Sequence, residues 1–170
     1  MASRFVLPLA LLLALAGCGA KTGQVQRGDA APSFALTTLA GQTLRFPEDV
    51  AGRGVVIRFW AGWCRFCEPE MREIDPVAAR LSAEGVSMLA VNVGQDRASV
   101  QAFVTRVGFR YPALVDEPAA TARAYGVKGL PTTFFILPDG RVRTRLVGEA
   151  DAATFERLAR ELIPASGGLR

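Results

Sequence analysis

Cys64 and Cys67 stand three positions apart, directly after an apolar run, Val55-Val56-Ile57-Arg58-Phe59-Trp60. Two thiols at that spacing, where a strand hands over to a helix, can open and close a disulfide and so carry two electrons. With a helix expected from about Cys64 to Ala83, the first thiol faces the helix N-terminus, where the macrodipole favours thiolate over thiol. The second lies one turn on. The same pair is compatible with half a zinc site or a structural clip. Zinc requires four ligands, or three and a water. The chain has no histidine and only one further cysteine, Cys18, so carboxylates would have to complete the set, and no metal is expected. A clip closing so short a loop constrains the unfolded chain little. Redox chemistry is the stronger reading, and it needs no cofactor beyond the two sulfurs.

The rest of the chain must place that pair. Its 170 residues suffice for one domain with a full core. Half the residues are hydrophobic and 21% are charged, the balance of a globular chain. The net charge is +4, carried almost entirely by arginine and scattered along the chain. Arg141, Arg143 and Arg145 alternate at strand spacing and are expected on one solvated face. There is no basic tail, aromatic-basic ladder or Gly-rich phosphate loop, which sets nucleic acid and nucleotides aside.

Residues 1–17 read as a signal peptide: Arg4 supplies a positive start, and Phe5 to Ala16 form an apolar run too short to span a bilayer as a helix. The run ends in Leu15-Ala16-Gly17-Cys18, which resembles the lipobox of bacterial lipoproteins. That resemblance implies that Cys18 is acylated and becomes the first residue of the mature chain. It also accounts for the odd cysteine, leaving Cys64 and Cys67 as the pair. Several acyl chains anchor a protein stably. Residues 18–29 are small and polar beyond Cys18 and are expected to form a flexible tether. Residues 30–163 form the domain, and residues 164–170 a frayed tail.

Within the domain, Phe34 to Leu36 and Thr43 to Phe46 flank Ala40-Gly41-Gln42 as a hairpin. Val55 to Trp60 is apolar on both faces except at Arg58, the mark of a central strand. Val86 to Val91 is a second buried strand. Asp96 caps a helix that runs to Val107. A short strand at Ala113 to Val115 and a short helix at Ala119 to Tyr125 follow. Thr132 to Leu137 and Val142 to Val147 flank the turn Pro138-Asp139-Gly140, and Asp151 caps a last helix to about Ile163. Strands alternating with helices, then a hairpin and a helix, predict an α/β sheet of mixed strand direction.

Five motifs appear in order: Ala31-Pro32-Ser33-Phe34, Phe59-Trp60-Ala61-Gly62-Trp63-Cys64, Val91-Asn92-Val93-Gly94, Gly129-Leu130-Pro131-Thr132-Thr133-Phe134-Phe135 and Pro138-Asp139-Gly140. Together they resemble the thioredoxin fold and, within it, the TlpA/ResA-like membrane-tethered thiol-disulfide oxidoreductases. The resemblance implies a central mixed sheet flanked by helices with an N-terminal hairpin extension. It makes Cys64 the exposed nucleophile and Cys67 the thiol that resolves the mixed disulfide. Pro131 matches the family's cis-proline, which would free the Leu130 backbone to pair with a client peptide. Trp63 is expected beside the disulfide, shaping the docking surface, with simple core filling as the alternative.

Spacing adds Glu70. At ~100° per residue it falls within the apolar arc of Cys67, Met71, Ile74, Ala78 and Leu81. An inward carboxylate there could take the proton of Cys67 during resolution, and the family has a functional glutamate at the matching position. The chain departs from the family at Arg58, where aspartate or asparagine is usual. A buried arginine needs a partner, so Arg58 either approaches Glu70 beneath the cysteines or runs its stem along the core to water. A cation beneath the pair would favour thiolate and make it a stronger oxidant. Arg65 and Phe66 replace a proline-containing pair between the cysteines, a second influence on potential. Pro69 is expected to loosen the first helical turns.

The reading is an envelope thiol-disulfide oxidoreductase, anchored by lipid with its domain on the extracytoplasmic side. It would act as a monomer on protein disulfides or dithiols, fed by an upstream membrane electron donor. Cytochrome c maturation is one role within the family. A peroxiredoxin-type thiol peroxidase is a rival, but Ala61 stands where threonine would be expected three residues before the reactive cysteine. A copper chaperone on the same fold is another, lacking here the histidine that suits copper.

Overall fold

The computed structural model describes residues 24–163; the signal segment, Cys18 and the tail from Pro164 lie outside the described residues. The strands are β1 (Phe34–Thr38), β2 (Thr43–Phe46), β3 (Gly54–Trp60), β4 (Val86–Val93), β5 (Ala113–Asp116), β6 (Thr132–Ile136) and β7 (Val142–Val147). The helices are α1 (Cys67–Ala83), α2 (Arg97–Val107), α3 (Ala120–Ala124) and α4 (Ala152–Arg160), with a single 3-10 turn at Glu48–Val50. One sheet takes them in the order β2-β1-β5-β4-β3-β6-β7. β3 runs parallel to β4 and antiparallel to β6. Every residue of β3 is buried, as its continuous apolar run requires of a strand covered on both faces.

Two clusters follow the alternation of that strand. Val56 and Trp60 point to the side of α1, α2 and α4, where Met71, Ile74, Phe103 and Phe155 pack. Val55, Ile57 and Phe59 point to the other side, against Tyr125 and Phe134. The caps are where the sequence puts them. Asp96 accepts from the Ser99 N–H at 2.9 Å, and Asp151 accepts from the Thr154 N–H at 2.7 Å. The Thr154 amide holds the Asp151 carboxyl below the ordinary aspartate range.

Four expectations are corrected. The helix begins at Cys67 rather than Cys64, because two successive turns precede it: Cys64 N–H on Ala61 O at 3.1 Å and Cys67 N–H on Cys64 O at 3.0 Å. Pro69 therefore falls in the first turn, where backbone N–H groups have no intrahelical partner, and it removes no hydrogen bond. The interior proline is Pro76, exposed on the outer face of α1. Residues 25–29, expected to belong to a flexible tether, pack on the domain. Val25 is buried against the second cluster, Gly28 donates to Val142 O at 2.8 Å, and Ala30 bridges to Arg141. The three arginines do not share one face either. A register shift between Phe135 and Ile136 breaks the alternation, so Arg143 pairs with Glu161 at 2.9 Å beyond α4 while Arg145 opposes Phe134.

Gly54 opens β3 against the residues that follow α4: a Cβ there would lie 2.5 Å from Leu162 Cβ and 2.6 Å from Leu162 O. A backbone atom cannot step aside as a flexible side chain can. Gly54→Ala is expected to lower stability by about 1–3 kcal/mol, read as a shifted urea midpoint at unchanged m-value.

Candidate active site

β3 delivers its chain to the site through Trp60, packed on Phe103 with ring centres 4.4 Å apart. The loop that follows is pinned by a residue that sequence reasoning missed. Gly62 N–H donates to Gln95 Oε1 at 2.6 Å, and that oxygen also accepts from Asn92 Nδ2 at 2.9 Å. Asn92 Oδ1 in turn accepts from the Gln95 N–H at 3.2 Å. The motif around Asn92 was visible in the sequence; its link to Gly62 depends on how the β4–α2 turn folds back.

Cys64 and Cys67 form a closed disulfide with Cα atoms 5.4 Å apart. Cys67 is the first residue of α1 and fully buried; Cys64 is 6% exposed. The cysteine expected to be exposed is therefore nearly buried, and of the pair it is the residue that keeps some exposure. Trp63 is 70% exposed, which removes core filling as its reason for being there. Arg65 is exposed, with its guanidinium 4.2 Å from the centre of the half-buried Phe66 ring.

The Leu130–Pro131 bond is cis, as are Phe46–Pro47 and Glu117–Pro118, which the sequence reading did not foresee. Among the described residues, the Leu130 N–H and C=O make no hydrogen bond. Pro131 O is occupied: it accepts from Gly148 N–H at 2.9 Å, which ties the β7–α4 loop to the cis-proline turn.

Beneath the cysteines lies a buried ion pair. Arg58 is fully buried and Glu70 is 4% exposed, with Nη2 and Oε2 2.5 Å apart. Of the two alternatives for Arg58, pairing with Glu70 is the one the structure contains. Arg58 Nη1 donates to Thr133 Oγ1 at 3.0 Å, and Glu70 Oε1 accepts from Ala150 N–H at 3.3 Å. Both Glu70 oxygens are thus engaged. Neither Thr133 nor Ala150 was singled out as a partner from sequence. Arg58 Nε and Trp60 Nε1, on the same side of β3, are buried donors without a partner among the described residues. Glu70 also lines a cleft of about 320 Å³ together with Pro69, Glu73, Glu149, Ala150 and Asp151. Among the described residues, no group of three or more His, Cys, Asp or Glu side chains is arranged to hold a metal ion.

A disulfide that joins a nearly buried Cys64 to a fully buried Cys67 at a helix start, in a chain that also holds a cis-proline preceded by the unpaired main chain of Leu130, is equipped for dithiol–disulfide exchange. Comparisons with known proteins agree. Residues 27–145 match the AhpC/TSA family. The thiol-disulfide oxidoreductase ResA of Geobacillus kaustophilus strain HTA426 is 37% identical over 137 residues, covering 81% of this chain and 78% of that protein. ResA of Geobacillus thermodenitrificans strain NG80-2 is 39% identical over 121 residues, covering 71% and 69%. Among solved structures, a thiol:disulfide interchange protein of the thioredoxin family from Chlorobium tepidum TLS superposes with a TM-score of 0.73 at 25% identity, covering 81% of this chain and 98% of that one. The chain belongs to the AhpC/TSA family and, with a thioredoxin fold and a closed Cys64–Cys67 pair, is a protein-disulfide oxidoreductase of the ResA kind.

Proposed function

We propose that the protein works as a reductant of selected protein disulfides, held at an extracytoplasmic membrane surface by acylated Cys18. The observation that carries this reading is the asymmetry of the pair: Cys64 keeps a trace of exposure, whereas Cys67 is sealed. In the reduced state the Cys64 thiolate attacks one sulfur of a client disulfide, forming a Cys64–client bond and releasing the other client sulfur as thiolate. Cys67 then attacks Cys64. The Cys64–Cys67 bond forms, the Cys64–client bond breaks, and its electron pair leaves on the client sulfur. Two electrons have passed to the client, and an upstream membrane donor must return them. Leu130 offers its N–H and C=O to a client segment as an added strand would, and exposed Trp63 supplies an apolar contact beside the sulfurs. Arg65 and Phe66, at the mouth of the pair, are the candidates for setting its potential. Proteins of cytochrome c maturation are one client class this reading accommodates.

Cys67→Ser tests it directly. Mixed disulfides on Cys64 are expected to accumulate in cells and to collapse with dithiothreitol, whereas Cys64→Ser traps none. Recovery of no covalent client, together with rapid oxidation of the wild-type pair by peroxide, would overturn the proposal in favour of a peroxidase. For the anchor, Cys18→Ser is expected to move the protein from the membrane pellet to the soluble fraction. Retention in the pellet through an alkaline carbonate wash would contradict the lipid assignment.

A further inference from the structure

We propose that Arg58 is a positioning residue for client binding, bracing the cysteine-bearing helix against the strand and loop that surround cis-Pro131. The inference rests on the reading that the chain exchanges disulfides with protein clients. Its basis is where the arms of the buried pair end. Arg58 Nη1 meets Thr133, two residues past Pro131 on β6. Arg58 Nη2 meets Glu70, one turn past Cys67 on the buried face of α1. Glu70 Oε1 accepts from Ala150, in the same loop whose Gly148 donates to Pro131 O. One guanidinium therefore joins β3, α1 and β6 and, through Glu70, the β7–α4 loop. Two of these, β6 and that loop, adjoin the Leu130–Pro131 main chain that a client would pair with.

Two physical features favour a brace over a charge that acts on the sulfurs. Cation and anion lie together, so a thiolate forming at Cys67 meets little net charge from the pair. The planar fork of arginine fixes directions that a flexible ammonium would not. Stability alone does not account for the pair, since well-packed apolar residues of similar volume often serve as well or better. The buried Arg58 Nε, without a partner among the described residues, adds to the cost of keeping it. Positioning has enough leverage: a displacement of ~1 Å can cost on the order of 10²-fold in rate.

The test uses the full-length protein with dithiothreitol as electron source and two disulfides. One is a synthetic peptide closed by a Cys-x-x-Cys disulfide; the other is cystamine, which has no peptide backbone to pair. The double variant Arg58→Met with Glu70→Met removes the brace without leaving a lone buried charge. Thr133→Val keeps both charges and removes one tie, and carries the test if the double variant does not fold. The peptide KM is expected to rise at least about fivefold in the double variant and about threefold in Thr133→Val, and in Thr133→Val, which leaves Glu70 in place, kcat and cystamine turnover stay within about twofold. Thr133→Ser restores the KM. The equilibrium constant with glutathione changes by less than tenfold, about 30 mV. An unchanged peptide KM overturns the proposal. So does equal slowing of both disulfides with a tenfold or larger change in that constant, which would assign Arg58 to the sulfurs. A wild-type protein that reduces cystamine but not the peptide would instead sink the protein-client reading, before any variant is compared.

Discussion

An arginine side chain with no exposure sits in β3, an interior strand of this sheet, and the architecture around the disulfide is arranged to make that tolerable. Moving a charge out of water is costly unless geometry and hydrogen bonding compensate it. Here the compensation comes from Glu70 on α1 and Thr133 on β6, both fixed by the elements that carry the redox pair and the cis-proline turn. The constraint runs both ways. An ionised Arg58 is buried at least cost when α1 packs with Glu70 inward, and an ionised Glu70 there is compensated by the cation beside it. Ala150 completes the arrangement from the loop before α4, whose N-cap Asp151 orders the next turn.

Around this pair the site separates recognition from chemistry. Trp63 and the main chain of Leu130 are open to a client, while Cys67 and the ion pair are closed to it. Cys64 lies at the boundary, and its loop is held by Gln95 and Asn92 rather than by the helix. Such a site admits one sulfur at a time. That suits exchange through a mixed disulfide, in which the second thiol must wait until the first has been engaged.

Much of this was legible in the residues because it is local. The turn at Pro138-Asp139-Gly140, the caps at Asp96 and Asp151 and the two-sided burial of Val55 to Trp60 follow from short-range chemistry and periodicity. The inward placement of Glu70 followed from helical angle alone. What escaped depends on distant parts of the chain. The helix start at Cys67 is set by the turns that bring the sulfurs together, not by propensity. Val25 reads as linker until Tyr125 and Phe46 form a surface for it to cover. The shift at Phe135/Ile136, which turns Arg143 toward Glu161, arises from pairing between strands and has no mark in either one. Gln95, Thr133 and Ala150 become site residues only through contacts across the fold.

The mutual dependence of Arg58 and Glu70 is open to one direct measurement: a double-mutant cycle on unfolding free energy with Arg58→Met, Glu70→Met and both together. Each single variant leaves an uncompensated buried charge and is expected to lose about 3–5 kcal/mol. The double variant should lose far less than their sum, giving a coupling energy of about 2 kcal/mol or more. Single losses that add to within about 0.5 kcal/mol would mean that the two residues do not depend on each other, contradicting the constraint on which this account of the site is built.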